Sequence, residues 1–138
     1  MVSHLFIQGV PVECINQAAI TYFVPAKIII SVLKTEGGRP GLVKENNNGT
    51  SDFGPMQINT TWLSKVARYG VSAQQLKTNA CVNVMVGTWI LSQAIAKAPS
   101  YWRGIGNYHS HTWALNQSYQ HHVLRQLQVL QAELSHVE

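Results

Sequence analysis

The chain has 138 residues, 46% of them hydrophobic and only 12% charged, with a net charge of +4. That length and apolar content fit one compact domain, exclude intrinsic disorder, and require a polar surface built mainly from Asn, Gln, Ser, Thr and His. The positive balance suits a polyanionic partner, but the basic residues, from Lys27 to Arg125, are scattered without a stripe or run, which argues against nucleic acid. No apolar run approaches the 18 or so residues that a membrane span needs.

The segment from Met1 to Val12 lacks the basic start and long apolar stretch of an export signal, so a mature or trimmed chain is expected, its signal already removed. A first helix is predicted over Glu13–Tyr22. Pro25 suits the opening turn of a second, because its missing N–H is unpaired there anyway. That helix runs to about Thr35, and its stretch Ala26-Lys27-Ile28-Ile29-Ile30-Ser31-Val32-Leu33 is apolar on most sides, which places it in the interior. Gly37 and Gly38 end it. Between Gly37 and Gly54 the composition shifts to Gly, Asn, Pro, Thr, Ser and Asp, the mark of a long irregular loop of the kind that carries function. A third helix is expected over Pro55–Arg68, closing at Gly70, with a short helical turn after Ser72. Asn79 then caps a long helix through Val82, Val86, Trp89, Ile90 and Ala94. Pro99 and Gly104 bracket a short segment. The last helix carries Leu115, Tyr119, Val123, Leu127, Leu130 and Leu134 at helical spacing, a stripe expected to be core. The fold class is therefore mainly α, in one domain over residues 1–138 with its core between about 13 and 130.

Cys14 and Cys81 have no neighbours at metal-ligand spacing. The leading reading is a disulfide tying the first helix to the first turn of the central one, and two buried free thiols are the alternative. A bridge would restrict the unfolded chain by roughly 4 kcal/mol and point to an oxidising compartment.

Among the acids, Glu36 stands at the C-terminal end of the interior helix, on the face of Ile29, Val32 and Leu33. Loss of water and the negative end of the helix dipole both disfavour its ionised form. A carboxyl kept protonated near neutral pH can protonate a leaving oxygen and then act as a base. The competing duty is a solvated helix-end Glu, or one paired with Arg39. Asp52 and Glu45 are the rivals for a second carboxylate, and Asx-turn bonding for Asp52 and solvation for Glu45 are the commoner fates. In Gly54-Pro55-Met56-Gln57-Ile58-Asn59, two amides and a thioether follow the loop, and amides suit sugar hydroxyls because they both donate and accept. His109, His111, His121 and His122 lack the spaced acid or further ligand of a metal site, so no metal or cofactor is expected. Trp62, Trp89, Trp102 and Trp113 offer a candidate sugar platform, with core packing as the commoner role.

Thr35-Glu36-Gly37-Gly38 followed by Asn46 through Asn59 resembles the Glu motif and the Gly-Leu-Met-Gln motif of the family 23 lytic transglycosylases, of the lysozyme-like superfamily. Cys14, Asn79-Ala80-Cys81-Val82-Asn83, Val86-Gly87-Thr88-Trp89 and Asn107-Tyr108-His109-Ser110 resemble the subset associated with conjugation, type IV secretion and pilus machines. The likeness covers roughly Glu13 to Leu127. It implies a lysozyme-like helical domain with an irregular active-site loop after the catalytic helix, located in the periplasm, with peptidoglycan as substrate and components of a transenvelope machine as partners. Glu36 matches the family's catalytic acid, Met56, Gln57 and Asn59 its glycan-contacting motif, and Tyr108 its active-site tyrosine, expected to hydrogen-bond Glu36 or the sugar. Three positions depart from the pattern: Gly37 replaces the usual Ser, Pro55 the usual Leu, and His109 the usual Asn. The implied reaction cleaves the β-1,4 bond between N-acetylmuramic acid and N-acetylglucosamine and forms a 1,6-anhydro product. A catalytically weak peptidoglycan-binding assembly factor and a lysozyme-type hydrolase are the alternatives.

Overall fold

The computed structural model describes residues 5–136, so Met1–His4, the start of the segment read for an export signal, lie outside the described residues. A short antiparallel pair, β1 (Phe6–Ile7) and β2 (Val10–Pro11), precedes helix α1 (Val12–Tyr22). Helix α2 (Ala26–Glu36) follows, with Pro25 at its N-cap and Gly37 at its end in the left-handed conformation, φ 67°. Glycine takes that conformation without the Cβ strain another residue would meet, and its N–H closes the helix on the Leu33 carbonyl at 3.0 Å. Ile29, Val32 and Leu33 have no exposed surface, as the pattern of α2 requires.

The region expected to be irregular contains β3 (Val43–Glu45) and β4 (Ser51–Phe53), and β5 (Ile58–Asn59) beyond it completes a three-stranded antiparallel sheet in the order β3-β4-β5. The predicted helix over Pro55–Arg68 is corrected accordingly. Its first half is a turn, then β5, then one turn of 3-10 helix (Thr60–Trp62), and only α3 (Leu63–Ala67) is α-helical. The cause is local: Gln57 is left-handed, φ 52°, and Asn59 pairs with Asp52 across the sheet. Strands this short carry no readable alternation, which hid them in the sequence.

Ser72 opens α4 (Ala73–Thr78) through a reciprocal capping box with Gln75, and the Asn79 side chain caps α5 (Ala80–Lys97) by accepting from Val82 N–H. Gly104 lies inside α6 (Tyr101–His109) rather than ending it, because a side chain there would collide with the α5 backbone at Ile95. The last helix, α7 (Trp113–Ser135), packs on α2 and α6, while α5 packs on α1 and α6. Its stripe is core only in the middle: Tyr119 and Val123 are buried, whereas Leu115 and Leu134 are exposed. Cys14 of α1 and Cys81 of α5 form a disulfide with a Cα–Cα distance of 5.3 Å. The molecule is thus mainly α, a lysozyme-like helical domain with a small sheet attached beside the end of α2.

One fully buried amide fixes the sheet to the helices. Asn83 of α5 accepts from Met56 N–H at 2.9 Å and donates to the carbonyls of Phe53 and Leu76, each at 2.8 Å. Every hydrogen-bonding group it buries is therefore matched, as a buried amide requires.

Candidate active site

A cleft of ≈ 470 Å³ runs between the sheet and the helices, with Glu36 on its wall. Glu36 is the last residue of α2, so the apolar contacts that bury α2 also carry this half-buried side chain to the edge of the core. Burial pushes its pKa from 4.5 up to about 7. A hydrogen bond from Tyr119 opposes that rise, the Asp52 carboxylate adds to it, and Lys44 opposes it. The carboxyl therefore holds its proton to near neutrality and can still release it.

The hydroxyl of Tyr119 donates to Glu36 Oε2 at 2.6 Å. Of the two partners expected of Tyr108, Glu36 or the sugar, the first is corrected: the Tyr108 hydroxyl donates to the Met56 carbonyl at 2.8 Å. The two tyrosine rings are stacked at 6.4 Å, and His109 stacks on Tyr119 at 4.9 Å with an interplanar angle of 12°. Burial, and then the nearby Glu36 charge, hold both phenols well above the usual tyrosine range, so both remain donors. Burial pulls the His109 pKa down, with Asp52 opposing and Lys44 and His122 reinforcing the fall. Tyr119 was hidden among the core positions of α7. Its one visible signal was a hydroxyl in a stripe of Leu and Val, since a buried phenol needs an acceptor.

On the opposite wall, Asp52 of β4 accepts from Asn46 Nδ2 at 3.2 Å and from Asn59 Nδ2 at 2.9 Å. Asn48, not Asp52, makes the Asx-type turn, its side chain accepting from Thr50 N–H at 3.1 Å. Asn59 also donates to Thr50 Oγ1 and accepts from Thr61 N–H, which commits both ends of its amide to the protein. Gln57 lines the cleft with its Nε2 on the Gly54 carbonyl, leaving its oxygen as an acceptor. The glycan-contacting role expected of the Met56 side chain is corrected. The thioether is completely buried, packed where any side chain at Gly87 would collide with it, and its backbone instead seats Tyr108 and Asn83.

Among the remaining sequence candidates, Glu45, His111, His121 and His122 are exposed, as is Trp113. Trp62 lines the cleft and meets Trp89 edge-on at 5.8 Å, while Trp102 packs against the core. The described residues include no cluster of three or more His, Cys, Asp or Glu placed to hold a metal ion.

A proton-holding acid at a helix end, facing a polar cleft walled by a small sheet, is the arrangement of a lysozyme-like domain. The chain belongs to the family defined by the transglycosylase SLT domain, which matches residues 13–122. It is similar to the invasion protein IagB of Salmonella typhimurium (29% identical over 101 residues) and the protein IpgF of Shigella flexneri (27% over 101 residues). It is also similar to a peptidoglycan-binding-like protein of Escherichia coli O157:H7 (26% over 105 residues). These matches take in 70–72% of the chain and 63–66% of each relative, so the chain spans just under two thirds of their length.

Proposed function

We propose that the protein is a peptidoglycan lytic transglycosylase that cleaves the β-1,4 bond between N-acetylmuramic acid and N-acetylglucosamine. The observation that carries this reading is the half-buried Glu36 carboxyl, its pKa raised to about 7, hydrogen-bonded by Tyr119 inside a polar cleft. In the proposed reaction Glu36 gives its proton to the bridging oxygen as the bond from that oxygen to the anomeric carbon breaks. The substrate's acetamido oxygen bonds to that carbon in its place. The Glu36 carboxylate then takes the proton of the C6 hydroxyl, whose oxygen attacks the anomeric carbon and displaces the acetamido oxygen. The product is a 1,6-anhydro ring, Glu36 ends protonated as it began, and no water is consumed. One carboxylate suffices because the substrate supplies the group that most glycosidases take from a second acid.

In this reading the Gln57 oxygen and the cleft edge at Asn59 receive the glycan, and Tyr108 shapes the floor by fixing the Met56 backbone. The disulfide supports an oxidising compartment, here the periplasm, and in this reading the protein opens the wall locally for a secretion, conjugation or pilus apparatus. Asp52 on the facing wall supports one alternative, lysozyme-type hydrolysis. Digestion of purified peptidoglycan by the wild type and by Glu36→Gln, followed by mass spectrometry, tests these readings. Anhydro-muropeptides from the wild type alone are expected. Reducing-end products would favour hydrolysis, and equal product from both proteins would remove Glu36 from the chemistry.

A further inference from the structure

Tyr108 and His109 line the cleft on its helical side, and the phenol that holds Glu36, Tyr119, lies buried against both of their rings. The two neighbours are held differently. Tyr108 is pinned at its hydroxyl by the Met56 carbonyl, and its ring meets Tyr119 at 6.4 Å with the planes 29° apart. His109, an exposed residue at the end of α6, lies closer and flatter, at 4.9 Å and 12°. Those values describe an offset stack, in which each ring face restrains the tilt of the other.

The packing of α6 on α7 sets this contact. Three residues before Tyr119, the fully buried Asn116 fills the space where any side chain at Gly106 would collide with it. Its Nδ2 donates to the Asn107 side-chain oxygen and to the Ser110 carbonyl, each at 2.9 Å. These bonds fix α6 to α7 on both sides of His109, which keeps the imidazole over the phenol. The Tyr119 oxygen stands at the far end of its ring and 2.6 Å from Glu36 Oε2. A tilt of the ring would carry it off the carboxyl, and a hydrogen bond weakens steeply once its angle is lost. Asn, the usual residue at position 109 in the family that the chain resembles, has no ring to make such a stack.

We propose that His109 is a positioning residue, whose ring, laid flat on Tyr119, keeps the phenol hydroxyl on the Glu36 carboxyl. Burial favours the neutral imidazole, so the role belongs to the ring and not to a charge. Its meaning for catalysis rests on the reading of Glu36 as the acid, given above.

The test follows the titration of Glu36 by carbon NMR of isotopically labelled glutamate, with Glu36→Gln identifying its signal, alongside digestion of peptidoglycan. His109→Ala is expected to raise the Glu36 midpoint by about 0.4–1 pH unit, because a loosened Tyr119 bond favours the carboxylate less. It is also expected to slow cleavage by about two- to tenfold, the range one aromatic pair supports. His109→Phe restores a flat ring without a titratable nitrogen and is expected to recover both. Added to Tyr119→Phe, His109→Ala is expected to move the midpoint no further, since the bond it protects is already gone. The other charged groups around the pair, Asp52 of β4, Lys44 of β3 and His122 of α7, are the same in every variant. An unmoved midpoint in His109→Ala, no recovery in His109→Phe, or a further rise in the double variant overturns the role. Midpoints that move as stated in a protein that releases no product from peptidoglycan uphold the positioning of Tyr119 and overturn the transglycosylase reading alone.

Discussion

On the helical wall of the cleft, the groups that meet Glu36 come from distant parts of the chain: Tyr119 from α7, stacked on Tyr108 and His109 of α6. On the sheet wall, Asn46, Thr50, Asp52 and Asn59 lie within 14 positions of sequence and hold one another through side-chain hydrogen bonds. The helical wall is buried and aromatic, so it governs how the acid keeps its proton. The sheet wall is partly solvated, and its amides are spent on internal order, so it offers a rigid polar surface. Their influences on Glu36 have opposite sign: the Tyr119 hydrogen bond favours the carboxylate, whereas the Asp52 charge disfavours it. A site of this kind tunes its acid by setting a hydrogen bond against burial and a like charge.

The largest effect expected is on the acid itself. Glu36→Gln is expected to lower anhydro-muropeptide formation by about 10²–10⁴-fold, the usual contribution of a positioned acid-base group, as read by product quantification. The same variant carries a stability signature. Because the folded pKa is raised above 4.5, the folded state binds the proton more tightly than the unfolded chain, and stability falls as pH rises from about 4.5 to about 7. Above that window the buried charge costs up to about 3 kcal/mol. Glu36→Gln is therefore expected to raise the melting temperature at pH 8 and to leave it nearly unchanged at pH 4. A gain of equal size at both pH values would show that the carboxyl is not desolvated.

Cys14→Ser lies outside both walls and serves as the control for the comparison. Opening a bridge between residues 67 apart is expected to cost about 4 kcal/mol and lower the melting temperature by roughly 10 °C under oxidising conditions, with the pH profile of cleavage unmoved. Tyr119→Phe removes one hydrogen bond to the acid and is expected to lower the maximal rate by about tenfold. It also shifts the alkaline limb of the profile to higher pH, because the lost bond favoured the ionised form. Asp52→Asn is expected to give the smallest effect, a shift of that limb to lower pH, since its charge raises the Glu36 pKa. If both variants moved the limb in the same direction, the contrast between the walls would be wrong.

The helices were legible because their signals are local and repeated: proline and glycine punctuation around α2, the Ser72 and Asn79 caps, and apolar spacing along α5. Glu36 was legible for the same reason, as the end of a helix apolar on most sides. The sheet was not, because strands of two or three residues are set by cross-strand partners and by a left-handed Gln57. Nor were the contacts of the second motif: Met56 faces inward and Asn59 donates to Asp52, facts that depend on where Gly87 and β4 lie in space.

By itself the sequence determined most of the helical architecture, the place of Glu36 at the end of the interior helix and the family resemblance, since each is written in short-range periodicity and in motif order. Only the tertiary structure decided that Tyr119 rather than Tyr108 holds the carboxyl, and that the His109 ring lies flat on Tyr119. A hydrogen bond between residues 36 and 119 depends on how α2 and α7 pack, and no pattern within either helix encodes that distance.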